Sequence, residues 1–173
     1  MTTHDKAVTS NETLKQWLPK LNSIQELLAL DEAEKCLPGR DGEPGHIRVA
    51  YETLQPATWC GPSEQLAGRT FEEAFALQNL DWCQASEQKA LGLNIRRANE
   101  LNLADLHEKI YERVKVFDKT KFALGLIGAD IDAWSAPQYI VDGLTWLTGV
   151  LLVEPAPAAE AAMEPAIDPE VTP

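Results

Sequence analysis

Apolar residues recur at helical spacing through most of the chain, and one stretch alternates instead. Ser10 or Asn11 caps a short helix through Leu14 and Trp17, which Pro19 stops. Leu21, Ile24, Leu27 and Leu28 form the stripe of a second helix, with Gln25 and Glu26 opposite. Residues 31–46 are charged and carry Gly39, Gly42, Pro44 and Gly45, a loop composition. Ile47 to Leu54 alternates, with Ile47, Val49 and Tyr51 on one face and Arg48, Ala50 and Glu52 on the other. It is the clearest strand, followed by a loop or irregular hairpin from Gln55 to Ala67. A strand without a visible partner leaves its backbone groups unpaired, so further strands are expected in the loops or from another segment or chain.

Five helices follow in the pattern. Thr70 and Glu73 have capping-box spacing for a helix over 71–79, in which Phe71, Ala74, Phe75 and Gln78 share a face. In that box the Thr70 hydroxyl accepts from the Glu73 N–H, and the Glu73 carboxylate returns to the Thr70 N–H. Gly68 eases the turn into the helix. A short helix spans 84–91 and ends at Gly92. Leu103 to Val116 is amphipathic, with Leu103, Leu106, Ile110 and Val114 or Val116 inward. Asp118 caps a helix from Lys119 to Leu126 that stops at Gly128. Ser135-Ala136-Pro137 opens a strongly apolar last helix. The boundaries are a frayed start over 1–9, a folded domain over 10–152, and a disordered Pro/Ala/Glu tail over 153–173.

Composition narrows the function classes. The net charge is -12, and residues 154–173 hold five acids and no base, leaving 22 acids against 15 bases in the body. Such a body is a poor stand-alone nucleic-acid binder, because neutralising phosphates takes Lys and Arg. Cys36, Cys60 and Cys83 are widely spaced, without a Cys-x-x-Cys pair, which disfavours zinc and suits reduced thiols in a cytoplasm. Met1 to Asp5 lacks the apolar run of a signal peptide, and Leu144 to Val153 is too short and interrupted to span a bilayer. No phosphate-binding glycine loop, zincin motif or nucleophile elbow occurs in the sequence.

Two helix starts carry the candidate chemistry. With Glu73 used by its cap, Glu72 is a second carboxylate in a rigid first turn. On spacing alone, both acids equally serve the helix dipole. Lys119 and Lys121 lie in the first turn of a later helix, where the dipole disfavours cations. They are either solvated surface lysines or placed to stabilise charge on a phosphate. His4, His46 and His107 are isolated, and His107 falls on the polar, solvent-facing side of its helix.

Several stretches, in order, resemble the C-terminal part of the TOPRIM domain of OLD-family (overcoming lysogenization defect) nucleases, which are ATP-dependent DNA endonucleases. They are Thr9 through Pro19, Arg48-Val49-Ala50-Tyr51, Gly68 through Phe75, Phe117 through Leu124, and Trp134 through Pro137 with Tyr139, Ile140, Gly143, Leu144, Trp146 and Leu147. The resemblance covers roughly residues 8–150. It implies an α/β, TOPRIM-like but truncated fold, helix-rich with a small, incomplete sheet. It also implies divalent metals (Mg²⁺ or Mn²⁺) that activate water against a DNA phosphodiester. Thr70-Phe71-Glu72 matches the family's Thr-[Phe/Leu]-Glu element, which makes Glu72 the metal ligand. Lys119 matches the lysine that stabilises transition-state charge, with Lys121 as the alternative and Ser10 as a residue lining the site.

The same resemblance implies a Glu and an Asp-x-Asp element ahead of Thr9, and neither occurs in the eight residues there. The expectation is therefore the C-terminal portion of such a nuclease, inactive alone. It would meet DNA only within a complete enzyme whose partner supplies the missing half or the ATPase. The alternative is a non-catalytic interaction module that binds and modulates a partner protein.

Overall fold

The computed structural model describes residues 7–18, 21, 23–37 and 47–151. Two apolar clusters organise them. The smaller gathers Leu14, Leu18, Leu27, Val49 and Tyr51. Helix α1 (Glu12–Trp17) contributes Leu14 and α2 (Ile24–Ala29) contributes Leu27. The Asn11 side-chain oxygen accepts from the N–H groups of Thr13 and Leu14, at 3.0 and 3.1 Å, and so caps α1. Ser23 and Glu26 form a reciprocal capping box on α2. The Tyr51 hydroxyl donates to the Leu27 carbonyl at 2.5 Å and ties the two segments together. Burial, with the Glu34 charge adding to it, pushes that phenol up to about 12.

The fraying expected at the start does not extend through 7–9: Val8 forms an antiparallel bridge with Ser23, and Thr9 is buried. Residues 1–6, Pro19, Gly39 to Gly45, and the tail from 152 onward lie outside the described residues.

The alternating stretch behaves differently from its pattern. Only β2 (Ile47–Arg48) is ladder-paired, antiparallel to β1 (Cys36–Leu37) in the segment expected to be loop. Val49 and Tyr51 point inward as the alternation requires, yet Ile47 is exposed, and beyond Arg48 the pairing continues through one bond, from the Val49 N–H to the Lys35 carbonyl at 2.9 Å. Inward packing, rather than strand pairing, set the period. The irregular hairpin expected next is present as β3 (Gln55–Ala57) against β4 (Glu64–Leu66). The further strands expected in the loops are thus present, as two small antiparallel sheets. Ladders of two and three residues are too short to leave a pattern in sequence.

The larger cluster is helical. It is built by α3 (Phe71–Gln78), α4 (Leu80–Gln84), α5 (Leu103–Val114) and α6 (Lys119–Gly128), with Phe75, Leu93, Leu106, Ile110 and Phe122 wholly buried. The helix expected over 84–91 divides into the end of α4 and a 3₁₀ turn, Ser86–Leu91, which closes on Gly92 with φ +85°. Val114 faces the core, while Val116 is exposed. The last helix, α7 (Gln138–Leu151), leaves Val141, Leu144 and Leu147 exposed despite its apolar sequence. Among the described residues no helix is long and apolar enough to cross a membrane. The fold is helix-rich with mixed α/β content.

Gly68 is required by close approach. A Cβ there would lie 2.4 Å from Ala74 N and 2.6 Å from Ala74 Cα, which is backbone that cannot rotate away. Gly68→Ala should destabilise the fold by about 1–3 kcal/mol, read as a lowered midpoint in thermal melting. An unchanged midpoint would mean that α3 can shift away from the turn.

Candidate functional site

Helix α3 begins as its sequence demands. Thr70 is extended, with φ -146° and ψ 163°, and its hydroxyl accepts from the Glu73 N–H at 3.3 Å. The second half of the expected box differs. The Glu73 carboxylate passes the Thr70 N–H and accepts from the Arg69 N–H at 2.6 Å. It also takes the Arg69 guanidinium, with Nη2 to Oε1 at 2.8 Å, and faces His107 Nε2 at 2.9 Å. Glu73 is fully buried. Burial alone would raise its carboxyl, but His107 and Arg69 outweigh that and hold it below the usual carboxylate range.

His107 therefore corrects an expectation: it turns inward onto Glu73 instead of facing solvent. The signal was in the spacing. His107 stands four residues after Leu103 and three before Ile110, both buried, which places it at the edge of the inward stripe of α5. Arg69 completes this corner, stacking over the Tyr111 ring at 3.3 Å from its centroid and reaching Glu108 at 3.2 Å.

Glu72 and Lys119 meet. Lys119 Nζ lies 3.0 Å from Glu72 Oε1, across 47 positions of sequence, with the carboxylate buried and the lysine exposed. Burial pushes the Glu72 carboxyl upward. Lys119, the backbone at the helix start and the Thr70 hydroxyl outweigh it, so the group is held lower than an ordinary carboxylate. This pair also accounts for a cation in the first turn of α6: Asp118 caps the helix through the Lys121 N–H at 2.9 Å, and Glu72 supplies the opposite charge. Lys121 is exposed and forms no ion pair among the described residues. Ser10 sits at the exposed entry to α1.

Two residues that pattern did not single out share the neighbourhood. Glu52 is partly buried, and its carboxyl is pushed up by burial and by the charges of Glu72 and Glu73. The Tyr139 phenol, on α7, is pushed up to about 12 by burial and by Glu52 and Glu72. Glu52 is brought here from both ends of its segment. Gln55 Nε2 donates to the Ala74 carbonyl of α3 at 3.0 Å, and Ala50 lies against Gly143 of α7. The only sequence signal for Glu52 was its place opposite Tyr51 in the alternation.

Chemically, the arrangement is a carboxylate with one oxygen held by an ammonium and a second carboxylate nearby. A hard divalent ion takes six or more oxygen ligands. Among the described residues no three His, Cys, Asp or Glu side chains converge for a metal. These residues alone do not fit the ion that the resemblance implies. No family model matches the chain, and neither the characterised proteins nor the solved structures include a significant match to it.

Proposed function

We propose that the chain is the C-terminal portion of a metal-dependent TOPRIM DNA endonuclease of the OLD type, contributing Glu72 and Lys119 to a catalytic site completed by other residues. The observation that supports this reading is the 3.0 Å pairing of Glu72 with Lys119. The resemblance names these two residues independently, from separate stretches, for one site. In a completed site Glu72 would be a metal ligand and Lys119 would stabilise charge developing on the phosphate. One carboxylate already engaged by an ammonium cannot hold two divalent ions, so the chain by itself does not cut DNA. The three free cysteines suit a reducing, cytoplasmic setting.

A second reading, an interaction module that binds and modulates a partner protein, draws on a different observation. Leu124, Ile127 and Ile131 lie exposed at helical spacing along and just past α6. The two readings part on one experiment with the purified chain. Plasmid should remain unnicked in Mg²⁺ or Mn²⁺. Trace Mn²⁺ should broaden the amide resonances of residues 70–73 and 119 ahead of other acidic stretches, and Glu72→Gln should abolish that preference. Broadening spread evenly over the acidic surface would favour the interaction module. Nicking lost in Glu72→Ala would show a complete site and overturn the proposal.

A further inference from the structure

The net charge hides a local reversal of sign. A concavity of about 400 Å³ is lined by Trp59, Asn94, Lys89, Arg96 and Arg97 among others. A second, of about 480 Å³, shares Ile95 and Arg96 with it and continues to Lys109 and Arg113 of α5. All five cations are exposed. Lys89, Arg96, Lys109 and Arg113 form no ion pair among the described residues, and Arg97 has only a 3.8 Å approach to Glu100. Glu112 also lines the second hollow, and its carboxylate holds Lys115 at 2.6 Å. Elsewhere the described cations mostly have acid partners, as Lys15, Lys35, Arg48, Arg69 and Lys119 do.

We propose that this surface binds the phosphate backbone of single-stranded nucleic acid, apart from the Glu72 carboxylate. None of its lining residues lies on α3 or α6. The cations are strung along two adjoining hollows that share Arg96. That layout suits successive phosphates rather than one converging phosphate. Like charges crowded without counter-ions repel, and a polyanion offsets that repulsion. Trp59 supplies the other half of such a groove. Its Nε1 donates to the Ala98 carbonyl at 3.1 Å, which fixes the indole in the wall of the first hollow, where a base can stack. Arg97 follows the shared Arg96 and lines the first hollow. Its backbone is left-handed, with φ 59° and ψ 37°, a conformation that costs a residue bearing a Cβ about 1–2 kcal/mol. The fold keeps an arginine there with little intramolecular use for its charge. The net charge of the whole chain weakens binding without cancelling it, because screening confines each charge to about 10 Å at moderate salt.

Fluorescence anisotropy of a labelled oligothymidylate, about 12 nucleotides long, titrated with the full chain tests this. Binding should weaken at least about tenfold between roughly 50 and 200 mM salt. Arg96→Glu and Arg113→Glu should each weaken it about tenfold and flatten the salt dependence. Arg97→Gly relieves the left-handed strain, keeps the fold, and should still weaken binding. Lys15→Glu, whose lysine is held by Glu12, should bind like the parent. Three results would overturn the proposal: no salt-sensitive binding by the parent chain, equal loss in Lys15→Glu, or thymidine monophosphate competing mole for mole with the strand. The Mn²⁺ experiment stands or falls separately, since it reads residues outside this surface.

Discussion

Glu73→Gln is expected to lower the free energy of unfolding by about 3 kcal/mol. Glu73 is wholly buried, and its carboxylate is the shared acceptor for the Arg69 backbone and the Arg69 guanidinium, with His107 Nε2 facing it at 2.9 Å. The amide is the same size but carries no charge and turns an NH₂ toward donors. The guanidinium then keeps the Tyr111 ring and, as its charged partner, Glu108, whose side chain is 60% exposed. Glu108→Gln is the control. It also removes an Arg69 partner, but one in water, and should cost less than about 1 kcal/mol. Urea unfolding of the two variants decides it, and equal losses would mean that burial of Glu73 is not what gives the pair its strength.

The pH dependence has the matching sign. The Glu73 carboxyl is held low in the folded chain. Its stabilising contribution is therefore full above the unfolded value of about 4.3. It is lost as pH falls through the lower folded value. Glu72 acts in the same direction. Glu52, pushed upward, opposes them in part by favouring the protonated folded state. Acid unfolding should begin below about pH 4.3 and should be shallower in Glu73→Gln.

Phe75→Ala should cost about 3–5 kcal/mol, a large share of the stability of a domain this size. The Phe75 ring has no exposed surface and touches four others: Phe122 and Trp134 at 5.5 Å between centroids, Trp82 at 5.8 Å and Phe71 at 6.3 Å. These rings come from α3, α4, α6 and the turn before α7, so one truncation leaves a void where four elements meet. The near-UV circular dichroism of Trp82 and Trp134 should weaken together with the thermal midpoint. Phe71→Ala, one turn earlier and 37% exposed, should lose roughly 1 kcal/mol. If Phe71→Ala were the more damaging, the cluster would be centred on the wrong ring.

Local chemistry was the legible part of the fold. Asn11, Thr70 and Asp118 cap the helices that their side chains predicted, because a cap is decided within four residues. The inward stripe of α5 was equally plain, since its apolar residues repeat over three turns. What stayed hidden depends on distant partners. Ile47 to Leu54 looked like a strand because Val49 and Tyr51 both point inward, while the ladder rests on Cys36–Leu37 and is two residues long. At the site, Thr70-Glu73 spacing found the helix start but gave the wrong backbone N–H to the carboxylate. Both helix starts stood out by their charge, but that Glu72 and Lys119 meet could not be read from the pattern, because spacing carries no information across 47 positions. Tyr139 was lost in an apolar helix that gave no sign of the acids beside it.

Asn79, at the end of α3, has a consequence of another kind. Its Nδ2 donates to the carbonyls of Phe75 and Ser135 at 2.9 and 2.8 Å, and its Oδ1 accepts from the Ser135 N–H at 2.7 Å. The side chain thus imitates a backbone amide and pairs with Ser135 as a neighbouring strand would. Aspartate has no donor for the two carbonyls, leucine has neither polar group, and glutamine is a methylene too long. The position is locked to a single amino acid by the scaffold alone. Any exchange at Asn79 strands a carbonyl or the Ser135 N–H, so this position answers to the scaffold whatever the chemistry of the site.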